Sequence, residues 1–375
     1  MLNTVKNALP SAAKARLRPL YARLRPIYRR VFPVPTLQFH SEEGNLPKTI
    51  VLYVNLKCLA VCPHCYLIQD NPEVFHGNKS MSDELFYKLL DAPSNRRVNT
   101  LTFAGGEALQ HPKVFEWCAE GQRRGKSVQI ISNGMSYSYD KIVDRLLQEK
   151  PFNNLQISLD ATNEKDYVAA KGLKKAPFAK ICENIRRVAT HYKNDPTVSV
   201  VTSFVISNAN IGKVAEMIEL AQYLNVDVVH LHTLQLGNQE KWKVLGDSLF
   251  FFPPEYHALM SRTDYSINIH VQPPLQEQFL RNYCRSLDVH LTVGPDGSLS
   301  PCGHRSWSPL HGNFQTTESP HNIPARREMR RMFIAADGAK NPELLHEHCR
   351  MCNRRLKGYF RFDRNVKSWE FIPAD

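Results

Sequence analysis

Short apolar runs alternate with amphipathic stretches from about residue 49 to residue 232. The runs are rich in β-branched residues and have turn-forming residues nearby, which is the pattern of strands buried in a parallel sheet. Between them, apolar residues recur at helical spacing, as at Ile211, Val214, Ile218 and Ala221, and Ser82 has the position of a helix N-cap. The predicted strands are Thr49–Asn55, Thr100–Phe103, Ser127–Ser132, Asn154–Leu159, Val198–Ile206 and Val228–His232.

Six such β/α units predict an α/β fold, as a partial (β/α)6 barrel resembling a TIM barrel or as an open parallel sheet. In both architectures the chemistry lies at the carboxyl ends of the strands. The alternation fades after about Gly237, and a region with cysteines, glycines and histidines follows, which predicts a small irregular module ordered partly by metal. The expected parts are a basic arm (1–45), a core (46–237), a connection (238–280), the module (281–360) and a C-terminal tail (361–375).

Composition and charge narrow the class of protein. Apolar residues make up 42% of the 375 residues and charged residues 22%, which excludes a wholly disordered chain. No apolar run is long enough for a membrane-spanning helix, and no secretory segment is present, so a cytoplasmic protein is expected. The net charge of +12 favours anionic partners without choosing among them.

Residues 1–35 hold eight cations and no acidic residue, with apolar residues between them. Three interpretations fit this composition: a solvated basic arm, an anchor to a membrane surface or anionic glycan, and a mitochondrial transit peptide. The arm therefore keeps a membrane-peripheral location open as an alternative to a purely cytoplasmic one.

The nine cysteines are unevenly spaced, and in a chain without export signals grouped cysteines favour metal ligation over disulfides. Cys118 and Cys182 stand alone on helical stretches and are expected to be small core residues. The other seven cysteines form two sets, and they are Cys58, Cys62 and Cys65, then Cys284, Cys302, Cys349 and Cys352.

The first set has the spacing C-x3-C-x2-C and directly follows the first predicted strand. Pro63 lies inside the segment and argues against one helical face. A structural zinc site usually has four protein ligands, whereas this window offers three thiolates, and the adjacent His64 is poorly placed to reach the same ion. Three thiolates suit a 4Fe-4S cluster that leaves one iron open for a small chelating molecule.

Polar residues follow the next three strands. Gly105 and Gly106 allow a close backbone approach, and the Glu107 carboxylate can accept from an ammonium group, although an ordinary strand-to-helix turn would look similar. Ser132–Asn133 and Ser158 offer hydroxyl and amide groups to a carboxylate or a ribose. Asp160 lies two residues after Ser158, and it could belong to this polar motif or equally well be the N-cap of the next helix.

With these motifs the chain resembles the radical S-adenosylmethionine (SAM) superfamily over about residues 48–235. In that family the cysteine loop binds a 4Fe-4S cluster, and the amino and carboxylate groups of SAM chelate its open iron. His64 stands where the family usually has an aromatic residue, and Lys171–Gly172 where many relatives have Arg-Gly, so a carboxylate-binding role for Lys171 is in doubt. The resemblance implies that the SAM-binding residues are Gly105, Gly106, Glu107, Ser132, Asn133, Ser158 and Tyr66.

The second set, Cys284, Cys302 and the pair Cys349 and Cys352, offers four thiolates. Zinc is one interpretation, since C-x2-C is its common half-site. The segment also resembles the SPASM or twitch module at the C-terminus of radical SAM enzymes, with Gly297 five residues before Cys302. No cysteine follows Cys352, so this resemblance implies one auxiliary 4Fe-4S cluster rather than two.

The resemblance implies a radical SAM enzyme that receives one electron from an external donor, cleaves SAM to methionine and a 5′-deoxyadenosyl radical, and abstracts hydrogen from a substrate. Oxidation, epimerisation or cross-linking would follow. A carbohydrate or other small molecule is the expected substrate, with a peptide as the alternative. A non-catalytic iron–sulfur carrier and a zinc-bound nucleic-acid-binding protein stay open, without firm support for nucleic acid. No catalytic acid or base is predicted.

Overall fold

A computed structural model describes residues 46–65, 79–234, 254–273, 283–284, 286–300, 302, 312–336, 344–345, 349, 352 and 358–373. The predicted basic arm and Tyr66 lie outside this part of the chain. The strands are β1 (Thr49–Asn55), β2 (Thr100–Gly105), β3 (Ser127–Ser132), β4 (Asn154–Ser158), β5 (Ser199–Ile206), β6 (Val228–Thr233), β7 (Asn268–Val271), β8 (His290–Val293), β9 (Leu299–Ser300), β10 (Gly358–Asp363) and β11 (Ser368–Pro373). All six predicted strands are present, with ends that shift by at most two residues.

These strands form one sheet in the order β11-β10-β7-β6-β5-β4-β3-β2-β1-β8-β9. Each neighbouring pair from β8 through β1 to β7 is parallel. The outer strands β9, β10 and β11 are antiparallel to their neighbours. Within the described residues the two edge strands do not pair with each other, so the barrel is not closed. The mostly parallel sheet with helices between its strands confirms the predicted α/β partial-barrel fold. Because the parallel strands share one direction, their carboxyl ends meet at one edge.

Two predicted parts contain more regular structure than expected. The connection at 238–280 holds a helix at Pro254–Met260 and strand β7, which pairs with β6. The predicted tail at 361–375 contains strand β11 and half of β10. The four-residue β7 is too short for its periodicity to be recognised, and the pairing of the hairpin with β7 depends on a contact between distant parts of the chain.

The helices are α1 (Asp83–Asp91), α2 (Val114–Arg123), α3 (Asp140–Glu149), α4 (Glu164–Lys171), α5 (Phe178–Tyr192), α6 (Val214–Tyr223), α7 (Pro254–Met260), α8 (Ser286–Val289) and α9 (Pro324–Ala335). Ser82 is the predicted N-cap of α1, since its hydroxyl accepts from the Leu85 amide at 3.2 Å. Cys118 on α2 and Cys182 on α5 are buried in the core, as expected for small apolar residues. None of the described helices combines the length and the hydropathy that crossing a bilayer requires.

The core lies on one face of the sheet. Leu155 and Ile157 of β4, and Val229 and Leu231 of β6, belong to it together with the apolar sides of the helices. Successive side chains on a strand point to opposite faces, so the residues between these positions point to the other side of the sheet. We call that side the inner face.

Candidate functional site

The polar motifs predicted at the strand ends lie together at the carboxyl edge of the sheet. The backbone amide of Gly106 donates to the carbonyl of Asn55 at 2.9 Å, and that of Glu107 donates to Lys57 at 2.8 Å. A β-carbon at Gly106 would lie 2.3 Å from the Lys57 carbonyl oxygen, so only glycine allows this contact. The close approach predicted for the glycines is therefore made to the backbone that begins the cysteine loop.

Glu107 joins the ends of β2 and β3. Its carboxylate is 1% exposed and accepts from the Asn133 amide at 2.7 Å and from the Ser132 hydroxyl at 3.2 Å. Burial raises the pKa of Glu107, although these hydrogen bonds oppose the shift. Most of the accepting capacity of Glu107 is thus used within the protein, and the predicted contact with an ammonium group stays a prediction.

Asn55, at the end of β1, is a candidate that sequence reasoning missed. Its amide nitrogen donates to the backbone oxygen of Glu107 at 2.9 Å. Its side-chain oxygen Oδ1 is buried and has no hydrogen-bond partner among the described residues. A buried acceptor without a partner is costly, and a ligand donor would remove that cost. The available signal was a polar residue at the end of an otherwise apolar strand.

Asn133 connects the end of β3 to the cysteine loop. Its side-chain Nδ2 donates to the Sγ of Cys58 at 3.1 Å, and its Oδ1 accepts from the Met135 amide at 2.8 Å. The hydroxyl of Tyr167 donates to the Asn133 carbonyl at 3.1 Å and so holds this turn from α4. The Asn133 side chain therefore contacts a predicted cluster ligand, and its predicted contact with SAM is not tested.

A fully buried ion pair lies beside the loop. Lys171 and Asp160 are 1% and 3% exposed at the side chain, and Nζ of Lys171 lies 2.7 Å from Oδ2 of Asp160. Lys171 also donates to the Ser158 carbonyl at 2.6 Å, and the other oxygen of Asp160 accepts from the Val205 amide at 2.8 Å. The pair therefore fastens α4 to the ends of β4 and β5.

Electrostatics keeps both members of the pair charged. Burial by itself would raise the pKa of Asp160, but Lys171 and the nearby His64 outweigh it and hold that pKa well below its usual range. Burial would likewise lower the pKa of Lys171, whereas the Asp160 carboxylate keeps it above its usual value. Nε2 of His64 lies 3.5 Å from the Asp160 carboxylate, so the pair also reaches the cysteine loop.

One expectation about these residues is corrected, and the doubt about a carboxylate-binding role for Lys171 is supported. Asp160 is not a helix N-cap, because Asn163 caps α4 by accepting from the Asp166 amide at 3.0 Å. Asp160 instead has a left-handed backbone, with φ of 61°, that turns its side chain towards Lys171. Lys171 is not placed to bind a ligand carboxylate, because its ammonium group is buried against Asp160 and Ser158.

The end of α4 supports the middle of the cysteine loop. The Val61 amide donates to the Lys171 carbonyl at 2.8 Å. Gly172 has φ of 61°, and a β-carbon there would lie 2.3 Å from the Val61 carbonyl oxygen. The loop therefore rests against a helix end that only glycine can form.

The loop brings its cysteines near one another. Burial raises the pKa of Cys58 to about 11 and that of Cys62 to about 12, and Cys65 adds to both shifts as a neighbouring charge. In the described part of the chain, no three His, Cys, Asp or Glu side chains converge on a position for a single metal ion. The assignment of Cys58, Cys62 and Cys65 to a cluster therefore stays a prediction.

The second cysteine set shares a small core of its own. Cys284 and Cys349 are buried there with Leu287 and Phe333, and Cys302 packs against them. Cys352 is also buried. The turn predicted before Cys302 is present, because the Gly297 amide donates to Gly294 at 3.0 Å with φ of 82° at Gly297.

Two buried arginines on α9 lie close to this core, and sequence reasoning missed them. Arg330 and Asp288 are fully buried and form an ion pair at 3.2 Å. Arg326 donates to the His290 carbonyl at 2.5 Å, and burial lowers its pKa to about 10 while Cys302 and Cys284 oppose that shift as nearby charges. Cys284 and Cys302 therefore lie near the buried guanidinium of Arg326.

Comparison with known proteins relates the chain to radical SAM proteins. The model of the radical SAM superfamily matches residues 53–221. The PqqA peptide cyclase of Streptomyces rochei is 23% identical over 320 residues, which cover 82% of each chain. The SAM-dependent nucleotide dehydratase of Selenomonas ruminantium is 23% identical over 217 residues, covering 57% of this chain and 72% of the relative.

Solved structures with the same fold have lower identity. SuiB of Streptococcus suis bound to SAM has a TM-score of 0.55 at 13% identity, over 83% of this chain and 71% of that one. Native anSMEcpe with bound SAM and the Cp18Cys peptide has a TM-score of 0.53 at 16% identity, over 84% of this chain and 89% of that one.

The matched residues contain the last three residues of β1, the cysteine loop and β2 to β5, and they form a radical SAM domain. The chain therefore carries a radical SAM domain over residues 53–221 and is a radical SAM enzyme, as the resemblance in its sequence implied. A radical SAM domain implies a 4Fe-4S cluster and SAM as the cofactors.

Proposed function

We propose that the enzyme generates a 5′-deoxyadenosyl radical at the cysteine loop and that this radical abstracts a hydrogen atom from a substrate on the inner face. The observation that carries the proposal is the meeting of four elements at one edge of the sheet. These are the cysteine loop, the Gly-Gly-Glu turn, Asn133 and the Lys171–Asp160 pair.

The residues present fit the proposed cofactors. Cys58, Cys62 and Cys65 would hold a 4Fe-4S cluster, which supplies, when bound, the electron that cleaves the sulfonium of SAM. The Asn133 amide already donates to the Cys58 sulfur and would stabilise its thiolate. The unpartnered Oδ1 of Asn55 would accept from the SAM ammonium group beside Glu107.

The remaining SAM contacts follow from the strand ends. Ser132 and Asn133 at β3 and Ser158 at β4 would bond the carboxylate or ribose of SAM, with Gly105 and Gly106 setting the position of Glu107. Tyr66 follows the third cysteine and is proposed as a further contact. Lys171 and Asp160 would hold the loop in position without touching SAM.

A second 4Fe-4S cluster is proposed at Cys284, Cys302, Cys349 and Cys352. The small core that gathers Cys284, Cys302 and Cys349 supports it. A cluster with four cysteine ligands would pass electrons rather than bind substrate, so it suits an oxidation of the substrate radical. An external one-electron donor would complete the cycle.

The proposed substrate is a small polar molecule, such as a carbohydrate, because neutral hydrogen-bonding side chains line part of the inner face. Ser203, His230 and His270 are among them. A peptide is the second candidate. It rests on the similarity to the PqqA peptide cyclase and to SuiB. One of the solved structures of SuiB is bound to the precursor peptide SuiA.

Anaerobic reconstitution followed by electron paramagnetic resonance tests the proposed cluster. The reduced wild-type enzyme is expected to show a 4Fe-4S signal that changes when SAM is added, because SAM binds the open iron. A variant with Cys58, Cys62 and Cys65 changed to Ala should lose this signal and about half of its iron, while the second cluster remains. A SAM-insensitive signal in the wild type would contradict the proposal.

A further inference from the structure

A row of polar side chains crosses the inner face, beginning at Ser158. The strand register places each member directly opposite the next, on the same side of the sheet. We call this set the polar row, and its members are Ser158, Ser203, His230, His270, Arg361 and Glu370.

Hydrogen bonds connect much of the polar row. The hydroxyl of Ser203 donates to that of Ser158 at 3.4 Å, and Nδ1 of His270 lies 2.9 Å from Nε2 of His230. At the far end, Arg361 donates to Glu370 at 2.5 Å. The polar row therefore runs from a proposed SAM contact across the inner face to the hairpin of β10 and β11.

The two imidazoles form a neutral pair. Burial lowers the pKa of His230 well below its usual value and that of His270 to about 4. A neutral imidazole has one donor and one acceptor, and the bond between the rings uses one of each. Whichever tautomer is present, the pair keeps one donor and one acceptor, which is the complement of a hydroxyl group.

Arg361 adds a hydrogen-bond donor to the polar row, and neighbouring carboxylates balance its positive charge. Its guanidinium lies 2.5 Å from Glu370 and 3.7 Å from Asp363, so its charge is compensated. Its Nε is buried and has no hydrogen-bond partner among the described residues. A ligand oxygen would satisfy this donor, whereas an anionic ligand would meet two carboxylates beside it.

The length of the polar row indicates the size of the ligand. Ser203 and Arg361 are separated by three strand spacings, or about 14 Å. Two linked rings, as in a disaccharide or a nucleoside, would span this distance better than a single small polyol.

We infer that the polar row is the substrate-recognition surface and that the substrate is a neutral, hydroxyl-rich molecule of two linked rings. His230 and His270 bind a hydroxyl group, and Arg361 binds an oxygen at the far end. This inference rests on the proposed function, because it assigns the substrate of the same site.

The test measures 5′-deoxyadenosine formed by the reconstituted enzyme with SAM and reductant, with and without added probe. The neutral probes are maltose, trehalose, uridine and cytidine. Their phosphorylated counterparts are maltose 1-phosphate, trehalose 6-phosphate, uridine monophosphate and cytidine monophosphate, and a peptide of mixed sequence is also tested. At least one neutral probe is expected to raise product formation above the SAM-only level. The phosphorylated probes and the peptide are expected to have less effect.

Substitutions then locate the binding surface. His230→Leu should raise the KM for the active probe by about tenfold or more, since it removes a donor and an acceptor. His230→Gln keeps a hydrogen-bond donor and an acceptor at this position and should recover most of the affinity for the probe. His191→Leu, at an exposed position on α5, is the matched control and should leave the KM unchanged.

The possible outcomes distinguish a failure of this inference from a failure of the proposed function. Absence of 5′-deoxyadenosine in the wild type without any probe, with clusters verified, would contradict the proposed function itself. Product formation that no neutral probe raises, or that only the peptide raises, would overturn the inference alone. An unchanged KM in His230→Leu would also overturn it.

Discussion

At the scale of single residues, the Lys171–Asp160 pair contributes most to the shape of the site. It is buried, it bonds to Ser158 and Val205, and its lysine belongs to the helix end that supports the cysteine loop. Lys171 therefore positions the loop and is not placed to bind a ligand.

Lys171→Met is expected to destabilise the protein by about 3–5 kcal/mol, because it leaves the Asp160 carboxylate buried without a partner. Urea unfolding followed by circular dichroism measures the change. Lys213→Met is the control, since it removes a lysine from the more exposed pair with Asp166 and should shift the midpoint little. Equal losses in the two variants would show that burial of the Lys171 pair has no energetic role.

The lowered pKa of His270 predicts that the free energy of unfolding depends on pH. The groups that face it or pair with its neighbours are His230, His232, Tyr359, Arg361 and Glu370. Its pKa of about 4 in the folded protein lies below the value of 6.5 expected after unfolding, so only the unfolded chain binds its proton between these values. The free energy of unfolding should therefore fall as the pH drops from about 6.5 towards 4.

Urea unfolding at pH 7 and pH 5 measures this effect. His270→Gln should reduce the loss of stability between the two pH values by about 1–2 kcal/mol, since one proton linked over one pH unit corresponds to about 1.4 kcal/mol. His191→Gln should keep the loss seen in the wild type. A wild-type loss that persists unchanged in His270→Gln would contradict the assignment.

The sequence identifies residues whose signal is local. The cysteine loop, the two glycines and the Ser82 cap are recognised from spacing and neighbouring turns. The partner of Lys171 is not, because a buried ion pair depends on where α4 and β4 meet in the folded chain. The sequence predicts Asp160 as a helix N-cap, but Asn163 lies nearer to the start of the helix and caps it.

At the scale of elements, the strands that could be predicted are the ones buried among helices. β1 to β6 are rich in apolar and β-branched residues and alternate with helices along the chain, which is the pattern of a parallel sheet. β7 has four residues, and the hairpin of β10 and β11 alternates aromatic with charged residues at the edge of the sheet. Their place depends on pairing between distant segments, which local periodicity does not report.

The junction between α4 and the cysteine loop gives a prediction at this scale. Gly172→Ala should displace the loop, because the added methyl group would lie 2.3 Å from the Val61 carbonyl oxygen at a backbone angle that alanine rarely adopts. The reconstituted variant is expected to bind less iron at the first cysteine set.

Iron and sulfide content per chain measures this prediction. Gly212→Ala is the control, since a β-carbon at that position meets no atom within 4 Å and the backbone is not left-handed. Wild-type iron content in Gly172→Ala would show that the loop does not depend on the contact.

At the scale of the whole molecule, one sheet carries both cysteine sets. β1 leads into Cys58, and its neighbour β8 begins the segment that continues through β9 to Cys302. The inner face of the same sheet extends the polar row from Ser158 to the hairpin of β10 and β11. The cysteine loop as proposed radical source, the second cysteine set as proposed electron acceptor and the polar row as proposed substrate surface are therefore all connected to one sheet.

The sequence predicts the parallel strands β1 to β6 of this sheet and the class of enzyme. It does not predict that the segment after Cys284 returns to pair with β1, or that the last residues extend the other edge. Consequently, the inner face across β6, β7 and β10 could be recognised only after the chain was folded.

The most direct measurement is the amount of 5′-deoxyadenosine formed under anaerobic conditions by the reconstituted enzyme with SAM and a strong reductant. The wild type should form the product, and the variant with Cys58, Cys62 and Cys65 changed to Ala should form none, because the loop is the proposed site of SAM cleavage. Equal product from both proteins, or none from a wild type with verified clusters and bound SAM, would contradict radical generation at this loop.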